Sequence, residues 1–139
     1  KQLAEGMISQ KADVIFHAAG STGNGVIEAA RAQGRLAIGV DANQDGQAPG
    51  YVLTSMIKRV DIAVFEIIKD ELDGKFAGMP HHFGLDRSAV GTTDFHYMRD
   101  GNAPGSRKAL PAGRLNEILA TLAKLKADIL SGKIVVKKP

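Results

Sequence analysis

The sequence predicts an α/β fold in which a largely parallel sheet is flanked by helices in three layers. Three observations carry this. Residues 12 to 19 and 35 to 41 are short apolar runs bounded by glycine or charge, the pattern of strands buried on both faces. Between them Gly20-Ser21-Thr22-Gly23-Asn24-Gly25 opens a helical stretch over 26 to 33, which Gly34 stops. Two apolar strands joined by one helix form a βαβ unit, so the strands run parallel and the crossover is right-handed.

The remaining elements follow in order. Residues 1 to 10 place Leu3, Met7 and Ile8 on one stripe, which is helical spacing. Residues 42 to 50, with Gly46, Pro49 and Gly50, form a loop at the carboxyl end of the second strand. A short strand over 51 to 55 follows, and Ser55 is placed to cap a helix. In that helix Met56, Val60, Ala63, Val64, Ile67, Ile68 and Leu72 recur at three- and four-residue steps until Gly74. Residues 80 to 85 and 88 to 93 are strand candidates separated by Asp86-Arg87, as in a hairpin or successive edge strands. Residues 99 to 109 read as a loop. The longest helix runs from 110 to 131, with Leu115, Ile118, Leu122 and Ile129 on its buried face, and a last strand at 134 to 136 precedes a basic tail.

Composition bounds what this fold can do. With 139 residues, 44% hydrophobic and 24% charged, the chain is a single folded domain able to bury roughly two thirds of its unfolded surface. The absence of Cys excludes disulfides, thiol catalysis, iron–sulfur clusters and Cys-ligated zinc. Eighteen basic against fifteen acidic side chains give +3, and the two signs alternate along the helical stretches, which argues against a nucleic-acid partner. No apolar run reaches the roughly 18 residues of a membrane span. Lys1-Gln2-Leu3-Ala4-Glu5-Gly6-Met7 reads as the middle of an amphipathic helix, so the expectation is a portion of a longer protein whose export signal lies elsewhere.

Two places attract a ligand. Backbone N–H groups at a helix start favour oxygen-rich groups, and glycines let them approach. The spacing Gly20-x-x-Gly23-x-Gly25 is neither the dinucleotide G-x-G-x-x-G nor a P-loop, so a tight turn packing helix on sheet is an equal reading. Asp41 stands at the carboxyl end of a parallel strand, where open α/β sheets bind ligands, and a carboxylate there can accept two hydrogen bonds from a ribose diol. The competing reading is an Asp that starts the loop through Asn43. Together the βαβ unit, glycine loop and strand-end Asp41 leave open a nucleotide-cofactor domain of an oxidoreductase. His17, His81, His82 and His96 show no metal-ligand spacing, and His17 reads as a satisfied core or cleft residue. Ser21, Ser55 and Ser88 lack the strand-turn-helix elbow of a nucleophile, so no catalytic residue is assigned.

Three ordered blocks add a resemblance. Residues 12 to 26, residues 37 to 41 (Ala37-Ile38-Gly39-Val40-Asp41) and residues 52 to 61 (Val52-Leu53-Thr54-Ser55-Met56-Ile57-Lys58-Arg59-Val60-Asp61) resemble the basic membrane protein family of substrate-binding proteins, in its carboxyl-terminal half. These are often lipoproteins of ABC importers, and many bind purine nucleosides. The resemblance implies a type I periplasmic-binding-protein fold, with this chain as the second of two lobes over residues 1 to 139. It implies a small-molecule nucleoside ligand, an ABC permease in the membrane as partner, no cofactor, no enzyme activity, and a periplasmic or cell-surface lipoprotein location. Phe16 would stack on the base and Gly20 would allow close approach. Asp41 would take the ribose hydroxyls, and Lys58 would bond the sugar or Asp41 itself. The bland readings are that Phe16 is core and that Lys58 is an exposed first-turn helix residue. A ligand-sensing lobe of a transcription regulator shares this fold and is a further alternative. Ser21 replaces a family glycine, which keeps the turn if its φ is negative. Residues 92 to 99 are not matched to the family by these three blocks, so a ligand other than a purine nucleoside stays open if they lie near the cleft. A lobe without its partner exposes apolar cleft surface, so self-association is expected.

Overall fold

The structure, a computed structural model, describes residues 1 to 99 and 110 to 137. The chain runs through α1 (Gln2–Ser9), β1 (Val14–Phe16), a 3-10 turn (Gly20–Gly23), α2 (Asn24–Ala32) and β2 (Leu36–Asp41). A second 3-10 turn (Asp45–Gln47) leads to β3 (Val52–Lys58), α3 (Val60–Leu72), a turn at Leu85–Arg87, β4 (Val90–Thr92), a turn at His96–Met98 and α4 (Ala112–Leu130). The strands lie in the order β1-β2-β3-β4. β1 to β2 and β2 to β3 are parallel, as the βαβ pattern requires, while β4 pairs antiparallel with β3.

Alternation along β2 and β3 builds a layer on each face of the sheet. Ala37 and Val52 pack with Ile27 and Ala30 of α2 and with Ala48 of the crossover. Their neighbours Leu36 and Leu53 turn to the other face and meet Phe95, Met98 and Leu115. Ile15 packs against Ala4 and Ile8 of α1 and Ala29 of α2. The three layers are therefore real, and β1, α2 and β2 of the βαβ unit contribute to the clusters that hold them together.

Several elements differ from the sequence expectation. The first strand is only Val14–Phe16, because Ala18 and Ala19 already lead into the turn. The helix expected from Met56 begins four residues later. Met56, Ile57 and Lys58 instead extend β3, since each finds a register partner in β4, and Met56 and Ile57 also find one in β2. Ladder bonds on both sides outweigh helical periodicity at the end of an apolar stripe. Ser55 accordingly caps no helix and is wholly buried inside the strand. Residues 80 to 84 form no strand, and β4 pairs with β3 rather than with them as a hairpin. The 134 to 136 run is not a strand either: Ile134 N donates to Asp128 O at 2.9 Å and closes the end of α4. Residues 100 to 109 of the expected loop lie outside the described residues.

Candidate functional site

The parallel strands β1, β2 and β3 end at Phe16, Asp41 and Lys58, so three of the four expected ligand residues stand on one edge of the sheet. Phe16 is 56% exposed, which removes the reading of it as core. Alternation sends its neighbours Ile15 and His17 inward, so the ring stands clear on the opposite side. Gly20 has φ +52 and open space where a Cβ would be, leaving the backbone of the turn accessible. Ser21 does not adopt a positive φ, so its departure from glycine leaves the turn intact. Thr22 fixes that turn by donating its hydroxyl to Ala19 O at 2.6 Å.

Asp41 has φ +71, a left-handed conformation that Asn and Asp tolerate better than other side chains. Strained backbone of this kind collects at functional positions. Its carboxylate accepts from Lys58 Nζ at 2.9 Å, so the structure joins Asp41 and Lys58 directly. Lys58 is a strand residue, not a first-turn helix residue. Both side chains are about half exposed, and a pair in that setting contributes on the order of 0.5 kcal/mol to stability. The consequence is orientation rather than stability: the ammonium holds Oδ1, and among the described residues the other carboxylate oxygen has no hydrogen-bond partner. The loop does not use Asp41, since Asn43 Oδ1 accepts the Asp45 N–H at 3.0 Å and starts the turn itself.

Two buried constellations lie behind this edge, and sequence reasoning missed the first. Ser55 Oγ donates to Asp45 Oδ1 at 2.6 Å and accepts from Gln44 N at 3.0 Å, while Gln44 Oε1 accepts from Val40 N at 2.9 Å. This network pins the crossover that follows Asp41 onto β2 and β3. Its sequence signal is Gly39, a lone glycine inside a strand, where a Cβ would strike Ser55 and Gln44. The second is His17, which is buried with both ring nitrogens unpaired, contrary to the satisfied residue expected. Its ring lies where a Cβ on Gly23 would sit.

The carboxylate of Asp45 is 3% exposed, so removing its hydroxyl donor leaves a buried acceptor short of a partner. Ser55→Ala should therefore cost about 1.5 kcal/mol. Urea unfolding checks this, and a midpoint equal to the parent's would show that the network is dispensable.

Past the strand ends, the chain leaves β3 through Arg59 and Asp61, which form a bidentate pair with contacts of 2.6 to 3.1 Å. Hydrogen bonding to Arg59 holds the Asp61 carboxyl below the usual range, and the same bond raises Arg59. With the folded-state value lowered, the contribution of Asp61 is present above the ordinary Asp range and lost on acidification through the folded value. The pair is at the surface, with about half of each side chain in solvent, so salt screens it.

Residues 1 to 112 match the family model described as ABC transporter substrate-binding protein, PnrA-like. The chain belongs to this family. It is 36% identical over 118 residues to an uncharacterized lipoprotein of Pyrococcus abyssi, covering 81% of this chain and 28% of the relative. It is 31% identical over 154 aligned positions to the ABC transporter nucleoside-binding protein BmpA of Lactococcus lactis, covering 98% of this chain and 39% of the relative. Among solved structures it is similar to an ABC transporter solute-binding protein of Aeropyrum pernix, with TM-score 0.70, 30% identity, and coverage of 99% of this chain and 44% of that one. The chain thus spans less than half the length of each of these relatives. All four expected ligand residues, the strand-end Phe16, Asp41 and Lys58 and the turn residue Gly20, lie within the family match. An open recess of about 450 Å³ beside the crossover, lined by Asn43, Asp45, Gly46, Asp94, His96 and Tyr97, contains none of them. The edge is a wall rather than an enclosed pocket.

Proposed function

We propose that this chain is one lobe of a two-lobed substrate-binding protein that delivers a purine nucleoside, or a similar ribose-containing solute, to an ABC permease without chemical change. The observation that carries the reading is the left-handed Asp41 at the end of β2, held by Lys58 across the strand-end edge. An acceptor-only carboxylate with one oxygen tied and the other without a partner among the described residues suits a pair of ribose hydroxyls. Phe16, exposed at the end of β1, offers a face on which a base can stack, an interaction worth roughly 1 to 3 kcal/mol where measured with nucleic acids. Gly20 leaves room for the sugar to approach the turn. The nucleoside-binding name of the Lactococcus relative supports the ligand class. The lipoprotein name of the Pyrococcus relative supports a location outside the cytoplasmic membrane, at the cell surface or in the periplasm. Family membership speaks against both the oxidoreductase and the regulator alternatives.

Isothermal titration of adenosine, guanosine, inosine and NAD into the full-length protein tests the reading. Saturable binding of at least one nucleoside, with no binding of NAD, is the expected result. Binding of NAD alone would overturn it in favour of a cofactor domain, and silence from all four would withdraw the nucleoside.

A further inference from the structure

The open recess of about 450 Å³ beside the crossover has two walls that hang from one residue. On the crossover side, the Ser55 hydroxyl donates to Asp45 Oδ1 at 2.6 Å. On the other side stands the chain after β4: Thr93 N donates to Ser55 O at 3.0 Å, and Ser55 N donates to Thr93 Oγ1 at 2.9 Å. Ser55 is wholly buried in β3, so neither wall shifts without disturbing the sheet. The second wall continues through a sharp turn. Phe95 is buried with φ +60, a left-handed backbone that a bulky side chain adopts only where its surroundings enforce it. That turn brings Asp94, His96 and Tyr97 to the recess.

The recess is acidic. Asp45 and Asp94 line it, no Lys or Arg does, and neither carboxylate forms an ion pair among the described residues. Asp45 is only 3% exposed, and a carboxylate at such depth costs free energy unless a cation or several donors answer it. Ser55 answers Oδ1 alone, and Oδ2 has no hydrogen-bond partner among the described residues. Asp94 is used in the same way: His96 N donates to its Oδ1 at 3.1 Å, and its Oδ2 takes no bond from a described residue. Arg99 spends Nη2 on the main-chain oxygen of Asp94, at 3.1 Å, rather than on the carboxylate. The hydroxyl of Tyr97 also has no partner among the described residues. Three residues of one recess thus each keep an oxygen that can still accept.

We propose that this recess binds the primary ammonium group of a small aliphatic amine, at a site that shares no residue with the strand-end edge. An ammonium brings one positive charge and three N–H donors with no acceptor, which matches two carboxylate oxygens and a phenol oxygen. Its charge answers the buried carboxylate of Asp45, which Ser55 serves with a single neutral donor. A metal ion fits less well. Among the described residues no three His, Asp or Glu groups come together as ligands, and the amide oxygen of Asn43 is already committed to Asp45 N. The recess is of the size that holds a small molecule, so the amine carries a chain of a few carbons. Bound there, it joins the crossover to the turn after β4, the two segments that Ser55 anchors.

Calorimetric titration of n-butylammonium chloride into the full-length protein, at fixed ionic strength in a buffer free of amines, tests this. Saturable binding is expected, with no binding of butanol, which lacks the charge, or of tetramethylammonium, which lacks the N–H donors. Asp45→Asn would also disturb the network that anchors the crossover, so the variants are Asp94→Asn and Tyr97→Phe. Asp94→Asn should weaken butylammonium binding about tenfold, and Tyr97→Phe roughly threefold. Both should melt within about 2 °C of the parent, since neither side chain is buried. Absence of saturable butylammonium binding overturns the proposal, and so does binding that Asp94→Asn leaves unchanged, which would put the amine elsewhere on the protein. Tetramethylammonium that binds as tightly as butylammonium overturns the ammonium match. Calcium or magnesium that binds where butylammonium does not, and is lost in Asp94→Asn, would assign the recess to a metal instead.

Discussion

Gly23→Ala is expected to lower stability by about 3 kcal/mol, and with it the melting temperature by about 10 °C, a large loss for one methyl group. A Cβ at this position would meet three atoms of the His17 ring before any other, all of them closer than a real contact permits. The ring cannot swing out of the way cheaply. His17 is only 5% exposed, on the inward side of β1 beneath the start of α2, so relief requires moving either the strand or the helix. The same displacement would disturb the turn that presents Gly20. Thermal unfolding followed by circular dichroism gives the measurement. A parallel variant, His17→Ala with Gly23→Ala, should recover much of the loss, because the ring that clashes is gone and the new methyl occupies part of its space. Non-additivity of this kind marks residues in direct contact. A Gly23→Ala protein that melts within about 2 °C of its parent would show that the ring is free to move.

This pair shows where the sequence could and could not be read. The glycine loop, the helix it opens and the two flanking strands were legible, because apolar runs bounded by glycine and a helical stretch between them allow few arrangements. The reason for Gly23 was not. Its contact with His17 depends on how far α2 sits above β1, which no local pattern encodes. The same limit applies at Met56, where a helical stripe continued smoothly into what is a central strand. Pairing with Val40 on one side and Thr92 on the other is non-local and decided the outcome. Ser55 followed Met56: read as a helix cap, it became a buried hydroxyl serving Asp45. Residues 80 to 85 alternated like a strand, yet an aromatic stack with a single cationic cap orders them instead.

The site edge was more legible than its surroundings. Strand ends are read from the limits of apolar runs, and a carboxylate at such an end is visible in sequence, so Asp41 could be singled out before any geometry was known. What the structure adds is the left-handed backbone at Asp41 and the partner Lys58, which lies on the next strand and seventeen positions along the chain. The resemblance offered that partnership as one reading of Lys58, while the helix assignment for residues after Ser55 set Lys58 in a first helical turn. A residue in the first turn of a helix and a residue at the end of β3 point to different neighbours, and only the second meets Asp41.

Asp41→Asn isolates the chemistry of that carboxylate. Asn tolerates a positive φ as Asp does, so the backbone at the end of β2 is kept, whereas Ala there would add strain to any loss of ligand contact. The exchange removes the charge and replaces one acceptor oxygen by a donor, which cannot accept from a ribose hydroxyl. Hydrogen bonds to a charged group contribute about 1.5 to 3 kcal/mol, so nucleoside affinity should fall by roughly 10- to 100-fold. Lys58 left without its partner adds little, because it is half exposed and remains hydrated. The melting temperature should therefore stay close to the parent's, which separates lost recognition from lost fold. A second ligand completes the test. A 2′,3′-dideoxynucleoside lacks the hydroxyls that Asp41 would hold, so it should bind the parent weakly and the Asn variant no more weakly still. A dideoxynucleoside that loses affinity as steeply as the ribonucleoside on Asp41→Asn would show that the carboxylate serves the base or the turn, and the diol role of Asp41 would have to be abandoned.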